Sequence, residues 1–386
     1  MKNKKIKVLF DAGPLVNGSL SGVGKFTQGL IQELSNNYPN NLELVGHYFD
    51  FLNKKDLSSL PKAKNIRYRK TVLLPGKVFS LLQRHGAWIP FELLVKERGD
   101  FLLFPAFIGW PSLFRTPSTP AVHDLSYIKF PQYVNDRARH ALKKLVGPSI
   151  DRAAFVITIS ESTKADINKF YGPLNKPVLV EHIPPVGLVT LSKPEASKIL
   201  EKLGIDRPYI LFLGNIEPRK NLVHLIDAYS QLPETARNKF ALVLAGGSGW
   251  KDEEILQKIN FLQSSGSKIY KTGYVSDEQR AALYMKASVF VLPSYYEGFG
   301  MPLLEAMTYQ TPMLISDITA LREVAEDTAL YCDPNSAKDI SKKLLLLLED
   351  DILQKQLVNK GNLRLKDFSW QKVTKELYEQ IAKSVE

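Results

Sequence analysis

Short apolar runs alternate along the chain with longer amphipathic stretches, which is the pattern of strands and helices in an α/β protein. The first half predicts seven strands, at Ile6–Ala12, Leu42–Phe49, Asn65–Val72, Phe101–Pro105, Ala121–Asp124, Phe155–Ser160 and Val178–His182. The second half predicts six more, at Tyr209–Gly214, Ala241–Ala245, Ile269–Tyr274, Val289–Pro293, Met313–Ser316 and Ala329–Cys332. Helical patterns lie between the strands, notably at Val23–Ser35, Asn135–Arg152 and Glu161–Phe170. Ser276 and Gln279 predict a capping box for a helix over Asp277–Ala287.

This alternation predicts parallel sheets that are covered by helices on both faces. It is interrupted near Pro184–Pro194, where prolines and a glycine separate a strand from a new helix. We therefore predict two doubly wound α/β domains, residues 1–185 and 186–368, that face one another across a cleft. In such sheets ligands bind beyond the carboxyl ends of the strands.

The charge is distributed unevenly between the two halves. The 386 residues include 51 Lys and Arg against 40 Asp and Glu, a net charge of +11. Residues 1–185 hold 26 of these basic and 14 of these acidic residues, whereas residues 186–386 hold 25 and 26. A basic half indicates phosphate-bearing partners or simply a solvated surface. No zinc finger, helix-turn-helix or basic-aromatic RNA motif is present, so nucleic acid is not expected as a partner.

The sequence also bears on the compartment. Cys332 is the only cysteine and cannot form an intrachain disulfide. The apolar run Val8–Phe10 is too short for a signal-peptide core, and Phe101–Phe114 is interrupted by prolines and too short to span a bilayer. We therefore expect a soluble, cytoplasmic protein.

Two candidate ligand sites follow strands of the first half. The segment Gly22, Val23 and Gly24 lies at the start of a helix, where backbone N–H groups favour an anion. The alternative is a glycine turn without a ligand. The spacing does not match a dinucleotide fingerprint, because position 27 is Thr. His123 ends a strand and is expected to point into the cleft, although a lone histidine is more often structural.

Two further clusters lie in the second half. Arg219 and Lys220 begin a helix, where the macrodipole disfavours cations, and an anion such as a diphosphate would remove the conflict. The alternative is a solvated pair of charges. The segment Glu297–Glu305 follows a strand, and its two acids are placed so that both can face one ligand. An apolar setting makes a carboxylate costly unless it has partners, and sugar hydroxyls would supply them.

These elements, together with Ser316-Asp-Ile and Glu323-Val-Ala, resemble the retaining glycosyltransferases of the GT-B fold, family 4, in which two Rossmann-like domains face across a cleft. The resemblance covers nearly the whole chain. It implies that Arg219 and Lys220 hold the donor diphosphate and that Glu297 binds hydroxyls of the transferred sugar. It assigns Glu305 to the ribose and His123 to the donor-sugar pocket.

The same resemblance implies further contacts to the donor. Phosphates would be approached by Gly22, Val23 and Gly24, the base by the backbone of Gly273, Tyr274 and Val275, and the sugar by the loop Glu297, Gly298, Phe299, Gly300 and Met301. The acceptor would bind mainly to the first domain, and a final helix within residues 369–386, near Trp370–Ala382, would return to that domain. Lys25 stands where the family often has Arg.

Members of this family transfer a sugar with retention and without a metal. The sequence contains no Asp-x-Asp pair, and no side chain is an obvious covalent nucleophile. The resemblance therefore implies front-face attack by the acceptor hydroxyl, no cofactor and no metal. Other readings are a catalytically silent sugar-nucleotide-binding protein, a dinucleotide oxidoreductase, or a phosphorylase or epimerase of the same fold.

The overall similarity points to mannosyltransferases of O-antigen or lipopolysaccharide assembly, with GDP-mannose as donor and a glycan or lipid-linked acceptor. UDP-glucose and UDP-N-acetylglucosamine stay open as donors. Because Glu297 and Lys220 lie on loops or helix starts, we expect their replacement by alanine to abolish transfer without disturbing the fold.

A basic and apolar segment of the first domain predicts docking to an anionic membrane surface. Its basic residues are Lys62, Lys64, Arg67, Arg69, Lys70, Lys77 and Arg84, and its apolar residues are Leu73, Leu74, Val78, Phe79, Leu81, Leu82 and Trp88. The stretch Val78–Arg84 predicts a short amphipathic helix that would lie in the membrane interface. The alternative is a helix packed into the core, with its charges merely solvated.

Overall fold

The computed structural model describes residues 5–16, 18, 20–72, 75–84, 89–247, 249 and 252–386, without the side chains of residues 77, 80, 83 and 84. The chain divides into two compact units. Residues 1–186 together with 369–386 form unit 1, and residues 187–368 form unit 2.

Unit 1 contains a seven-stranded sheet whose neighbouring strands are all parallel. Its strands are β1 (Ile6–Asp11), β2 (Leu42–Phe49), β3 (Ile66–Thr71), β4 (Phe101–Phe104), β5 (Ser118–Val122), β6 (Val156–Thr158) and β7 (Val178–Val180). Its helices are α1 (Gly22–Asn37), α2 (Gly76–Arg84), α3 (Phe91–Val95), α4 (Ser126–Lys129), α5 (Asp136–Arg152) and α6 (Glu161–Tyr171), with a last helix after unit 2.

Unit 2 contains a six-stranded sheet that is also parallel throughout. Its strands are β8 (Tyr209–Leu213), β9 (Ala241–Ala245), β10 (Ile269–Gly273), β11 (Val289–Leu292), β12 (Met313–Ser316) and β13 (Leu330–Cys332). Its helices are α7 (Lys193–Lys202), α8 (Leu222–Ser230), α9 (Glu234–Lys239), α10 (Glu253–Ser264), α11 (Asp277–Lys286), α12 (Met301–Thr308), α13 (Thr319–Ala325), α14 (Ala337–Glu349) and α15 (Asp351–Arg364). The chain then returns to unit 1 as α16 (Trp370–Val385).

The central strands are buried on both faces. Every residue of β4, β9 and β11 is buried, as expected for parallel sheets that are covered by helices on both sides. Each predicted strand overlaps a described strand. The largest difference is at β5, which begins at Ser118 rather than Ala121. The predicted strand begins only after Pro120, yet Pro120 lies in register with Phe104 of β4, although proline lacks an N–H group and is rare in central strands.

The order of the strands identifies the ligand-binding end of each sheet. The order is β3-β2-β1-β4-β5-β6-β7 in unit 1 and β10-β9-β8-β11-β12-β13 in unit 2. The direction of winding therefore reverses between β1 and β4 and between β8 and β11. In doubly wound sheets the carboxyl ends of the strands at such a reversal form the usual ligand site.

The last helix, α16, packs against α1 within unit 1. The rings of Tyr38 and Tyr378 stack with centroids 4.0 Å apart, and the Asn37 side chain donates to Thr374 Oγ1 at 2.8 Å. A Cβ atom at Gly29 would lie 2.4 Å from the Trp370 ring, so only glycine permits this close packing.

The predicted capping box at α11 is confirmed, because Ser276 and Gln279 exchange both hydrogen bonds. None of the helices within the described residues has the length and apolar character needed to cross a bilayer.

Candidate active site

The loop after β8 is held tightly against the end of β9. Gly214 N–H donates to the Ala245 carbonyl and Ile216 N–H donates to the Gly247 carbonyl, each at 2.9 Å. Gly246 has φ +143°, and a Cβ atom there would lie 1.9 Å from the Gly214 carbonyl oxygen. Glycine at position 246 is therefore required for the two strand ends to meet, and the loop leaves β8 in a fixed direction.

That loop positions Arg219 and Lys220 before α8 rather than inside it. They lie in the short 3-10 turn Pro218–Lys220, and Asn221 follows with φ +60°. The Asn221 side chain donates to the carbonyls of Pro293 and Pro334, at 2.9 and 2.7 Å. The turn is thereby anchored to the chain segment that follows β11, on the neighbouring strand at the sheet reversal.

Arg219, Lys220 and Glu297 meet in one buried ion cluster. Lys220 Nζ donates to Glu297 Oε1 at 2.6 Å, and Arg219 Nη1 donates to Glu297 Oε2 at 3.0 Å. The other side of the guanidinium donates to Glu217 Oε1, from Nε at 3.0 Å and from Nη2 at 2.7 Å. The Ser294 hydroxyl donates to Glu297 Oε1 at 2.6 Å. Two cations thus face two carboxylates, and the cluster is neutral as a whole.

This cluster corrects two expectations from the sequence. Lys220 is 9% exposed and Glu297 is 8% exposed, so both lie in the core and not on solvated loops. Replacing Glu297 by alanine would leave Lys220 buried without its carboxylate, and replacing Lys220 would remove one of the two cations that pair with Glu297. Breaking a buried ion pair in this way destabilises proteins strongly. In addition, Glu217 and Glu297 already pair with the two cations, so the charges at the start of the helix do not by themselves require a bound anion.

The cluster keeps Glu297 ionised. Burial alone would raise its pKa, but the charges of Lys220 and Arg219 and the bonds from Lys220 and Ser294 lower it to about 2. Glu297 is therefore a carboxylate at neutral pH, able to accept hydrogen bonds from hydroxyl groups. The described contacts use only one of the three N–H donors of Lys220.

The glycine loop after Glu297 leads directly into α12. Gly300 is the N-cap with φ +106°, and a Cβ atom there would lie 2.7 Å from Leu321. Gly298 is buried, and the Phe299 ring packs edge-on against Phe368 with centroids 6.1 Å apart. Met301 begins the helix. The tight turn therefore holds Glu297 at a fixed place before the helix N-terminus.

Glu305 has a different set of described partners. Its Oε1 lies 3.5 Å from Nε of Arg280, whose Nη2 also donates to the Gly187 carbonyl at 2.7 Å. Burial raises the pKa of Glu305, while Arg280 and the neighbouring Tyr284 hydroxyl partly offset this effect. The geometry with Tyr284 is not that of a well-formed hydrogen bond. Glu305 is thus a buried carboxylate that faces the Arg280 guanidinium.

The predicted base-binding segment lies at the end of β10. The Gly273 carbonyl accepts from Gly246 N–H at 2.9 Å and from the Thr272 hydroxyl at 3.0 Å. Gly273 has φ +70° and nothing within 4 Å of an added Cβ atom. Tyr274 is 64% exposed and Val275 is partly buried. This end of the strand is therefore open to solvent beside an exposed aromatic ring.

The glycine segment of unit 1 forms the first turn of α1, which begins at Gly22 and includes Val23. Ser21 is the N-cap, and its side chain accepts from Gly24 N–H at 3.2 Å. A Cβ atom at Gly24 would lie 2.9 Å from the Pro14 carbonyl oxygen. Glycine at position 24 is therefore explained by close packing, and Ser21 already occupies one of the N–H groups expected to meet phosphate.

His123 follows β5 and is 6% exposed. Its Nε2 lies 2.8 Å from the Pro105 carbonyl, which can only accept, so Nε2 carries the proton. The ring packs edge-on against Phe26 and Phe107, with centroids 4.9 and 5.3 Å away. Burial lowers the pKa of His123, so the ring is neutral at neutral pH and Nδ1 is an acceptor.

Sequence reasoning missed four residues of these sites. Glu217 stands two positions before Arg219, and Ser294 stands three before Glu297. This short spacing is the sequence signal that could have identified both residues as partners. Arg280 and Tyr284 contact Glu305 from another helix, α11, and no local spacing signals that pairing. Across the described ranges, no three His, Cys, Asp or Glu side chains are grouped as metal ligands would be.

Comparison with known proteins gives one family match and several full-length similarities. Residues 195–364 match the family model described as glycosyl transferases group 1. The chain is 30% identical over 381 residues to the O-antigen chain mannosyltransferase B of Escherichia coli, covering 96% of this chain and 97% of that protein.

Two solved structures resemble the whole chain. The sucrose-phosphate synthase of Thermosynechococcus elongatus has a TM-score of 0.74 at 20% identity, covering 98% of this chain and 100% of that one. Anabaena HepE, solved in complex with UDP and glucose, has a TM-score of 0.71 at 17% identity, covering 98% and 99%. At sequence identities of 20% and 17%, these similarities establish only that the chain shares the fold of the two structures.

Proposed function

Because the chain belongs to the glycosyl transferases group 1 family, we propose that it transfers mannose from GDP-mannose to a glycan or lipid-linked acceptor in cell-surface polysaccharide synthesis. The chain is a glycosyltransferase, and the expected GT-B class of two Rossmann-like domains is confirmed. The sugar, the nucleotide and the acceptor are the proposed parts of this statement.

The ion cluster of unit 2 is the observation that carries the proposal. It lies at the carboxyl ends of β8 and β11, where the sheet reverses and a ligand is expected. In the reaction we assign the diphosphate to Lys220, which keeps N–H donors beyond the one given to Glu297. The ionised Glu297 accepts from hydroxyls of the transferred sugar. Arg219 is clamped between Glu217 and Glu297, so it holds the cluster in place and adds positive charge.

We further propose that transfer proceeds with retention and without a metal. When the bond to the sugar breaks, negative charge develops on the leaving diphosphate, and preorganised cations stabilise such charge most effectively. Lys220 supplies a buried cation whose described contacts leave two of its N–H donors for the diphosphate, while Arg219 pairs with Glu217 and Glu297 and keeps the cluster in place. The acceptor hydroxyl attacks from the face that the diphosphate leaves, and the departing phosphate takes its proton.

The choice of mannose rests on the similarity to the O-antigen chain mannosyltransferase B of Escherichia coli. Donors with UDP stay as the second candidate, because HepE was solved with UDP and glucose. We assign the ribose to Glu305 and the base to Gly273, Tyr274 and Val275. The exposed ring of Tyr274 supports the second assignment, since an aromatic face at a solvent-open strand end suits a nucleobase.

We also propose that unit 1 docks to the inner face of an anionic membrane. Val78, Leu81 and Leu82 of α2 are 41%, 52% and 40% exposed. Phe79 does not take part, since it is buried against Phe49 and Trp110. Arg67 is paired with Glu43 and Glu97, so its charge is compensated within the protein. Lys62, Lys64, Arg69 and Lys70 lie within the described residues, whereas Leu73, Leu74, Trp88 and the side chains of Lys77 and Arg84 lie outside them.

A transfer assay tests the reaction directly. The protein is incubated with GDP-mannose, UDP-glucose or UDP-N-acetylglucosamine, each radiolabelled in the sugar, together with a membrane extract that contains acceptor. We expect label to enter extractable glycan or glycolipid from GDP-mannose, and the product anomer to match the donor by NMR. Incorporation only from a UDP donor would move the function to the second candidate. No incorporation from any donor would refute the proposed reaction.

Chelation tests the proposed metal independence, and vesicle binding tests the proposed docking to an anionic membrane. Turnover is expected to continue in EDTA, and complete loss that Mg²⁺ or Mn²⁺ restores would overturn metal independence. Co-sedimentation is expected with anionic vesicles and not with neutral ones, and it should weaken from about 0.05 to about 0.5 M salt, because salt screens the attraction. Equal binding to both vesicle types would remove the electrostatic docking.

A further inference from the structure

Unit 1 contains a cavity of about 990 Å³ at the carboxyl ends of β1 and β2. Gly13 follows β1 and Phe49 ends β2, while α2 and the first turn of α5 supply Leu81 and Arg137. The volume lies at the upper end of the range for small-molecule sites. Its position is the ligand-binding end of a doubly wound sheet.

Part of the cavity wall is apolar and exposed. Phe51, Leu52 and Leu81 line it and are 47%, 65% and 52% exposed. Phe49 lines it too, and its ring packs against the buried Phe79 with centroids 5.0 Å apart, so this wall is anchored to the core. Exposed apolar side chains around a formed cavity favour a ligand that covers them.

The same cavity carries an excess of positive charge. Lys54, Lys55 and Arg137 line it, against the single carboxylate of Asp50. That carboxylate accepts from the backbone N–H groups of Lys54 at 2.9 Å and Lys55 at 3.3 Å, so it organises the loop. Within the described part of the chain, neither Lys54 nor Arg137 has an acidic partner at ion-pair distance.

We propose that this cavity binds an anionic amphiphile, a long-chain phosphate whose anion lies against Lys54 and Arg137 and whose chain covers Phe51, Leu52 and Leu81. A free phosphate would leave the apolar wall exposed, and an uncharged glycan would leave the cations without a partner. The amphiphile is the lipid-phosphate part of the acceptor, an assignment that rests on the proposed function. The binding itself does not depend on it.

Direct binding with short, soluble probes tests the proposal. The protein is titrated by calorimetry with octyl phosphate, octyl glucoside and inorganic phosphate, each far below micelle-forming concentrations. Octyl phosphate is expected to bind at least about tenfold more tightly than either control, because it alone offers both a charge-assisted bond and an apolar chain. Equal binding of inorganic phosphate would reduce the site to an anion site, and equal binding of octyl glucoside to an apolar one; either result overturns the proposal.

Two matched pairs of variants locate the site. Leu81→Asp and Arg137→Ala should each weaken octyl phosphate binding by at least about tenfold. The controls are Leu82→Asp on the same helix as Leu81 and Lys143→Ala on α5. Leu82 and Lys143 are not among the residues that line the cavity, so both controls should change the affinity for octyl phosphate by less than about twofold. If Leu82→Asp weakened binding as much as Leu81→Asp, the probe would be adsorbing to the helix surface and the cavity would not be its site.

A parallel measurement separates this proposal from the proposed reaction. Transfer from GDP-mannose is measured in the same preparation. Octyl phosphate binding without transfer would refute only the reaction, and transfer without octyl phosphate binding would refute only the amphiphile site. Octyl phosphate that binds and competes with the acceptor in the transfer assay would support both.

Discussion

Two buried glutamates, one in each unit, are ionised very differently. Glu297 of unit 2 is 8% exposed and its pKa lies at about 2, because Lys220 and Arg219 outweigh the effect of burial. Glu181 of unit 1 is 2% exposed and burial raises its pKa to about 8. Its Oε1 has no hydrogen-bond partner in the described part of the chain. Burial alone therefore does not set the charge state of an acid; its partners do.

The same contrast extends to the ligand-binding ends of the two sheets. In unit 2 the charged side chains are buried and satisfy one another, so the site is organised before any ligand arrives. In unit 1 the cavity presents exposed apolar side chains to solvent, and two of its cations, Lys54 and Arg137, have no acidic partner within the described residues. We interpret the first as a site for one fixed chemical group, the donor diphosphate and sugar. The second suits a larger acceptor that must itself cover the surface.

The largest expected effect is on catalysis in unit 2. Lys220→Met keeps the length of the side chain but removes the charge to which we assign stabilisation of the leaving diphosphate. We expect kcat to fall by about 100- to 1,000-fold, the usual cost of one preorganised donor. The control Lys258→Met removes a lysine of the same unit that pairs with Asp227 at the surface. Its kcat should stay within about twofold of the wild-type value. Similar losses in both variants would refute the special role of Lys220.

The next effect is on stability and tests whether the cluster is held by mutual pairing. Glu297→Gln leaves Lys220 buried without its counter-charge and should lower the free energy of unfolding by about 3 kcal/mol. The double variant Glu297→Gln with Lys220→Met should lose less than the two single losses added together. Urea unfolding of the four proteins forms a double-mutant cycle, and additive losses would show that the pair is not coupled.

A pH-dependent effect on stability is predicted for Glu181 of unit 1. An acid whose pKa is raised on folding binds its proton in the folded state and not in the unfolded one between its two pKa values. Stability should therefore fall as pH rises from about 4.5 to about 8, by about 1.4 kcal/mol per pH unit from this group. Glu181→Gln should remove that slope. The nearby charges Lys372 and Glu376 modulate it, and an unchanged slope in the variant would contradict the assignment.

The smallest predicted effect concerns the ribose assignment. Arg280 contacts Glu305 and also bonds the Gly187 carbonyl, which a lysine cannot do at the same time. We expect Arg280→Lys to raise the KM for the donor by about two- to tenfold, the equivalent of one hydrogen bond, with little change in kcat. Arg207→Lys alters a surface pair in the same unit and serves as the control. A drop in kcat with unchanged KM would refute Arg280 as a positioning residue.

The strands, and the position of Arg219 and Lys220 after β8, could be predicted because their signals are local. Continuous apolar runs identify buried parallel strands, and Leu42–Phe49, Ala241–Ala245 and Met313–Ser316 were predicted to the residue. Arg219 and Lys220 stand directly after a strand, which places them at the ligand-binding end without further information.

The pairing of those residues could not be predicted in the same way. Glu297 meets Lys220 because β8 and β11 are neighbours, and that adjacency is a property of the sheet order, not of local spacing. Both an exposed and a core-packed helix were open for this segment, and only the structure shows that Phe79 is buried while Leu81 and Leu82 are exposed on the same helix. Amphipathicity locates a face, but only the packed structure determines what that face meets.

The central claim is that unit 2 binds the donor and the cavity of unit 1 binds the acceptor. Its most direct test is to measure the binding of nucleoside diphosphates to three proteins. GDP and UDP are titrated by calorimetry into wild type, Lys220→Met and Leu81→Asp. We expect Lys220→Met to weaken binding of the preferred nucleotide by at least about tenfold, because a charge-assisted contact is lost, and Leu81→Asp to bind it as wild type does. Wild-type affinity in Lys220→Met, or an equal loss in Leu81→Asp, would contradict the account.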